Sequence, residues 1–271
     1  MLQICPMFPL HCKTFPSTAG ELQSRLNDSI QRVFSRADQP VSVVEKSYPA
    51  LAEIRIALDG AELRPNLARP PRVGGQGAPA LHVGELHVGG SGLTIGPARA
   101  DLRLRAREVG LTQATDEKGD VVLLLQNAAD GSVEITTSKL DIERTIAAVA
   151  KHEAGKQGVT IDQVQLTVRQ RGERSVDAEV QLRGRKLFFS TILRIGASLD
   201  VDEELNAKIS RLACHGDGAI GALACGALAP HLEKLTGRSF ALMGLPLGEI
   251  RLRDVRISAG DKLTVSAEFG A

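Results

Sequence analysis

Three stretches of this chain repeat one apolar pattern: two aliphatic residues in alternation, a step of two, and two more. They are Leu81-x-Val83-x-x-Leu86-x-Val88, Val159-x-Ile161-x-x-Val164-x-Leu166 and Ile250-x-Leu252-x-x-Val255-x-Ile257. Alternation is the period of a strand with one buried face. A step of two inside it sends the following side chains to the other face unless the strand bulges there. The pattern therefore calls for curved, bulged strands.

In the last two copies a polar turn follows, and then a second alternating strand: Val176, Ala178, Val180, Leu182 in one, Leu263, Val265, Ala267, Phe269 in the other. A helical stretch precedes each. The first is 139–154, with Leu140, Ile142, Ile146 and Val149 expected inward and Gly155 as stop signal. The second is about 218–236, with Ile220, Leu223, Leu228, Leu232 and Leu235, ending at Gly237. Helix, curved strand, turn and strand thus occur twice, at a spacing of about 80–90 residues that is too long for a solenoid. Internal duplication within one domain is the expectation.

Further forward, Thr18 and Glu21 form a capping-box pair, and Leu22, Leu26, Ile30, Val33 and Phe34 follow at helical spacing. An amphipathic helix over 18–36 is expected. Ile54, Ile56 and Leu58 alternate as a strand, and so do Phe189, Thr191, Leu193 and Ile195. Residues 63–79, LRPNLARPPRVGGQGAP, read as a Pro/Gly-rich loop. With about eight to ten strands in all, the expected fold is α+β. An extensively curved antiparallel β-sheet wraps on two or three amphipathic helices, with an internal helix-plus-hairpin duplication. Residues 1–16 would be an irregular N-terminal segment and 17–271 a single domain.

Lysine plus arginine number 33 against 32 aspartate plus glutamate, so charge gives no reason to expect nucleic acid. With no Trp, one Tyr and seven Phe, the interior must be mainly Leu, Val, Ile and Ala. That suits hydrocarbon and argues against base stacking or sugar binding. The cysteines, at positions 5, 12, 214 and 225, show no CxxC spacing and read as free thiols. The first sixteen residues, with Pro6, Pro9 and Pro16 and no basic start, make a poor signal peptide. The placement expected is cytoplasmic, peripheral to a membrane at most, and exported only if the start site is misassigned.

The motifs that suggest chemistry are weak. Gly216, Gly218 and Gly221 match GxGxxG, but the chain beyond that helix reads as a hairpin rather than a βαβ unit. They suit close helix packing, or an anion such as a lipid phosphate at the helix N-terminus. His82, Glu85 and His87 match no zincin signature, and Cys214, Cys225, His215 and His231 match no zinc spacing. Gly89-Gly90-Ser91-Gly92 lacks the closing Gly of a nucleophile elbow and reads as a turn. Arg103, Arg105 and Arg107, like Arg251 and Arg253, read as the polar faces of half-buried strands. No cofactor, metal or catalytic residue is expected.

The ending LPLGEIRLRDVRISAGDKLTVSAEF (245–269), the helix GAIGALACGALAPHLEKLTG before it and the earlier SKLDIERTIAAVA give residues 130–271 a family likeness. More weakly preceded by 81–112, this region resembles the LmeA-like family of bacterial phospholipid-binding proteins, related to TULIP-type tubular lipid-binding domains. The resemblance implies a long curved sheet on helices, with an apolar groove or tunnel for acyl chains.

The expected function is non-catalytic binding of a lipid or other apolar small molecule in an aliphatic groove or tunnel, with lipid carriage between membranes as its use. The expected lining is Leu102, Leu104, Ile146, Val149, Val164, Leu166, Val180, Leu182, Leu228, Leu232, Val255, Ile257, Val265 and Ala267. A membrane surface would be a transient partner; the oligomeric state stays open. The alternative is a solid-core structural or protein-interaction domain with no ligand.

Overall fold

A computed structural model describes residues 7–65, 73–156, 158–186, 189–202, 206–241 and 252–270. The elements in chain order are β1 (Met7–Pro9), α1 (Ala19–Val33), β2 (Phe34–Ser35), β3 (Val41–Ser47), β4 (Ala50–Ala57), β5 (Glu62–Leu63), β6 (Val73–Ile95), β7 (Ala98–Asp116), β8 (Val121–Asn127), β9 (Asp130–Ser138), α2 (Lys139–Gly155), β10 (Thr160–Gly172), β11 (Ser175–Lys186), β12 (Phe189–Val201), β13 (Asn206–Gly216), α3 (Gly218–Leu235), β14 (Ser239–Ala241), β15 (Leu252–Ala259) and β16 (Lys262–Gly270). The class is α+β and strand dominates it.

Helix α1 forms where its cap and stripe place it. The Thr18 hydroxyl accepts from the Glu21 N–H at 3.2 Å, and the Glu21 carboxylate accepts from Ser17 N–H at 2.8 Å. Leu22, Leu26 and Ile30 are buried. The helix stops at Val33 rather than at residue 36, because Phe34 turns extended and pairs with Leu63.

The larger sheet, sheet 1, runs β15-β16-β9-β7-β6-β4-β3, with β8, β1, β5 and β2 attached beside that path. It is not purely antiparallel, as expected from sequence, but mixed. β4 lies parallel to β6, pairing Leu51 with Val83, Ile54 with Leu86 and Ile56 with Val88. Sheet 2 is the antiparallel meander β10-β11-β12-β13-β14. The described residues hold more strands than the eight to ten expected, four of them only two or three residues long.

The loop expected over 63–79 is corrected at both ends. Glu62–Leu63 is strand β5, and 73–79 belong to β6, where they pair irregularly with β7. The register slips between Gly74 and Ala78 and again between Pro79 and Leu81, so the glycines and proline sit at bulges. Residues 66–72 lie outside the described residues. The Gly89–Gly92 stretch likewise lies within β6 rather than in a turn.

The two-residue steps take different forms. In β10 the register shifts between Ile161 and Gln163, and in β15 between Arg253 and Arg256, with Asp254 at φ 46°. Both are bulges, and Ile161, Leu166, Val255 and Ile257 are buried. In β6 the pairing with β7 runs without a slip from Leu81↔Leu111 to Gly90↔Leu102. The partner takes the same step at the same place: Leu104, Ala106, Val109 and Leu111 are all buried, and Glu108 between them has φ 50°. Ile250 lies outside the described residues.

The sheets meet where the hairpin between β10 and β11 docks on the edge of β15. Ile257 N–H donates to Glu173 O at 2.6 Å, Gln170 Nε2 to Ile257 O at 2.7 Å, and Arg174 Nε to Val255 O at 3.1 Å. The Gln170 amide also accepts from Ala259 N–H, so one side chain stands in for a strand residue. Val176 and Val201 of sheet 2 join Val255 and Ile257 in the main core. The helices before the two hairpins are placed differently. α2 packs on β10, which follows it, whereas α3 packs on β12 and β13, which precede it.

Candidate functional site

Register sorts the side chains of sheet 2 onto two faces. Val164, Leu182 and Leu193 align in one row, and Leu166, Val180, Ile195 and Cys214 in the next but one. The rows between carry Gln165, Gln181, Arg194 and His215. One face is thus aliphatic and the other polar, as alternation requires.

Helices α2 and α3 flank the aliphatic face. α3 is tied to it by a disulfide between Cys214 of β13 and Cys225, 11 residues apart, which overturns the expectation of free thiols at these positions. Their spacing matches no motif, and only the fold brings their Cα atoms to 5.5 Å. Cys12 is a free thiol, half-buried, and burial pushes its pKa up. α2 lies along the outer edge of β10, where Glu143 accepts from the Leu166 N–H.

Cover on this face is partial. Leu166 and Leu182 are buried but stand apart from the main core, while Val164, Val180, Leu193 and Ile195 are only half-buried. α2 buries none of its residues. Its Ile146 is half-buried, and Val149, expected inward, is 56 % exposed. Leu140 is exposed as well. In α3, Leu228 and Leu232 are half-buried and Leu223, also expected on the packed side, is 76 % exposed. These inward expectations fail because α2 meets the sheet at an edge and α3 covers only two strands.

The other expected lining residues form a second patch on sheet 1. Leu102 aligns with Ile135, Val265 and Ile257, and Leu104 with Val133 and Ala267. Leu104, Val255, Ile257 and Ala267 are buried in the main core; Leu102 and Val265 are half-buried beside it. α2 touches β7 and β9 of this sheet as well as β10, so it stands between the two patches.

The glycines at the head of α3 have a packing reason. A Cβ on Gly216 would lie 2.2 Å from the Gly221 backbone, and one on Gly221 2.5 Å from Gly216. Gly218 has φ +70°. The N-cap Asp217 makes no side-chain cap bond; its carboxylate pairs instead with Arg194 at 2.7 Å. An anion at this helix end would meet a carboxylate already there.

Two open concavities lie on the polar face. One, of about 250 Å³, is lined by Arg169, Asp177, Glu179, Ser198 and Arg211 among others. The Ser198 hydroxyl donates to Asp177 at 2.6 Å and, with Arg171 and Arg211 nearby, holds that carboxyl below its ordinary range. The other, of about 750 Å³, contains Arg183 and the ion pairs' members Arg185, Asp162 and Asp217. Arg185 pairs with Asp162 at 2.8 Å and Arg194 with Asp217, so most of the charge here is already met within the protein.

His82, Glu85, His87 and the arginines at 103, 105 and 107 are spread along β6 and β7 of sheet 1, whereas His215 lies on β13 of sheet 2. His82 bonds Glu108 at 2.7 Å and His87 bonds Glu85 at 3.0 Å, which holds Glu85 below the usual carboxylate range. Arg107 pairs with Asp130 and Arg103 with Glu134. The Ser91 N–H donates to Asp59. Among the described residues no three His, Cys, Asp or Glu side chains gather as a metal site. Missed from the sequence as lining were Leu193 and Ile195, whose alternation marked a strand but not its neighbours. Comparison with protein-family models, curated proteins and solved structures returned no match.

Proposed function

We propose that the chain is a non-catalytic binder of a lipid or other apolar ligand, taken up along the aliphatic face of sheet 2 between α2 and α3. The observation that carries this reading is a contrast between the sheets. Sheet 1 buries Leu81, Val83, Val109 and Leu111 in a packed core, whereas Val164, Val180, Leu193 and Ile195 lie side by side and half-covered. Contiguous, part-exposed aliphatic surface of this kind marks a place where something apolar binds. Each methylene moved from water onto such a face gains about 0.8 kcal/mol, enough for an acyl chain to be held.

In this reading the bulged hairpins β10–β11 and β15–β16 are related units, and together they give the wall beside α2 its curvature. The likeness to LmeA-like phospholipid-binding proteins points the same way, and carriage between membranes would be the use of such a site. The Cys214–Cys225 disulfide favours an oxidising compartment over a cytoplasmic one. No head-group site is assigned to Gly216, Gly218 and Gly221, because Asp217 stands at that helix end.

Uptake of a fluorescent fatty acid and a fluorescent phospholipid by the purified chain tests the proposal. Ile195→Asn and Val180→Asn are expected to weaken uptake severalfold, while Val44→Asn, at an exposed position on β3, leaves it unchanged. No uptake by the parent chain would instead support a solid-core interaction domain.

A further inference from the structure

Cys214 belongs to the second aliphatic row of sheet 2, in register with Ile195, Val180 and Leu166. Its bond to Cys225 reaches about two turns into α3, since a turn takes 3.6 residues. A second constraint, near the start of this helix, is the approach of Gly221 to Gly216, too close for a Cβ on either residue. Both constraints act on the first half of α3. Beyond Cys225, Pro230 removes one N–H from the helix ladder and crowds the preceding turn. Leu228 and Leu232 are half-buried there and Leu235 is exposed. Past the helix the chain is tied back to β13 by Gly237 N–H to Ile209 O at 2.8 Å and by β14, so the sparsely buried stretch from Cys225 to Leu235 is the part that opens first.

We infer that the Cys214–Cys225 disulfide is a latch that holds α3 as a lid over the β12–β13 side of the aliphatic face, and that a dithiol reductant frees the lid. This rests on the reading of sheet 2 as the ligand face. A thiolate of the reductant attacks one protein sulfur and breaks the S–S bond, giving a mixed disulfide. Its second thiolate then displaces that sulfur and leaves as a cyclic disulfide. The protein gains two electrons and two protons, as the thiols of Cys214 and Cys225. Both cysteines are half-buried, so a small reductant reaches them. With the bond cut, both ends of α3 stay tied, the start by the Gly216–Gly221 contact and the Asp217–Arg194 pair and the end by β14 paired with β13. The stretch between them keeps only partial apolar packing, and Leu193 and Ile195 are uncovered as it bows away.

The test is hydrogen exchange by mass spectrometry on the full chain, before and after dithiothreitol, with fluorescent phospholipid uptake measured on the same samples. Reduction is expected to speed amide exchange across 218–235 by roughly tenfold or more while β6 and β7 keep their protection. Uptake is expected to become severalfold faster. Cys225→Ser, without reductant, should reproduce both changes. Unchanged exchange in α3 overturns the latch, since packing alone would then hold the helix. An equal rise in β6 and β7 also overturns it, because the bond would then staple the whole fold. If α3 loosens but neither form takes up phospholipid, the latch stands and the ligand reading of sheet 2 fails.

Discussion

The Glu143 carboxylate on α2 accepts a hydrogen bond of 2.7 Å from the backbone N–H of Leu166, on the outer edge of β10. The far end of sheet 1 is treated in the same way: Asn27 and Gln23 of α1 accept from the N–H groups of Val41 and Val43 on edge strand β3, at 2.8 and 2.9 Å. An open strand edge invites pairing with another chain, and here helix side chains occupy part of it. Glu143→Ala should therefore cost about 1 kcal/mol in urea unfolding, the usual net worth of such a bond. An unchanged midpoint would show that water replaces the carboxylate without loss.

Asn27 is only 3 % exposed, and it also donates to Gln39. Removing its amide leaves a buried N–H of Val41 unmet, so Asn27→Ala is expected to cost about 1–3 kcal/mol. Gln23→Ala, at a half-buried position, should cost less. Urea unfolding of the two variants side by side checks the order.

Gly131 faces the ring of Phe269 across β9 and β16. A Cβ there would lie 2.2 Å from that ring and 2.7 Å from the Arg105 carbonyl. Gly131→Ala should lower stability by about 1–3 kcal/mol, the cost of overpacking. Gly196 has nothing within 4 Å of such a Cβ, so Gly196→Ala in β12 should be neutral or stabilising. Thermal melts of both variants distinguish a packing requirement from a general intolerance of alanine.

Asp177 gives a pH dependence. The Ser198 hydroxyl, with the cations Arg171 and Arg211, holds its carboxyl below the usual 3.8. A depressed folded-state pKa contributes stability that is complete above the unfolded value and is lost as pH falls through the folded one. Wild type should thus lose stability below about pH 4 more steeply than Asp177→Asn does. Identical acid limbs in the two unfolding curves would mean that the polar face contributes nothing through this group.

What the sequence made legible was local. The Thr18–Glu21 cap and the Leu22, Leu26, Ile30 stripe located α1, and the two-residue steps at Ile161 and Arg253 marked real bulges. What it hid was set by distant partners. Gly74 to Pro79 carry turn residues, yet β7 draws them into a bulged strand. The parallel pairing of β4 with β6 leaves no trace in either strand's own alternation. Val149 has the spacing of an inward residue, but α2 meets the sheet along an edge and leaves it in water. Cys214 and Cys225 look unrelated until β13 and α3 are folded against each other.

The most direct test of the central claim is native mass spectrometry of the purified chain, paired with organic extraction of whatever leaves with it. The aliphatic face of sheet 2 predicts a stoichiometric apolar adduct that is lost, along with the matching lipid in the extract, in Ile195→Asn. A chain that flies at its bare mass, yields an empty extract and takes up no added phospholipid would contradict the account.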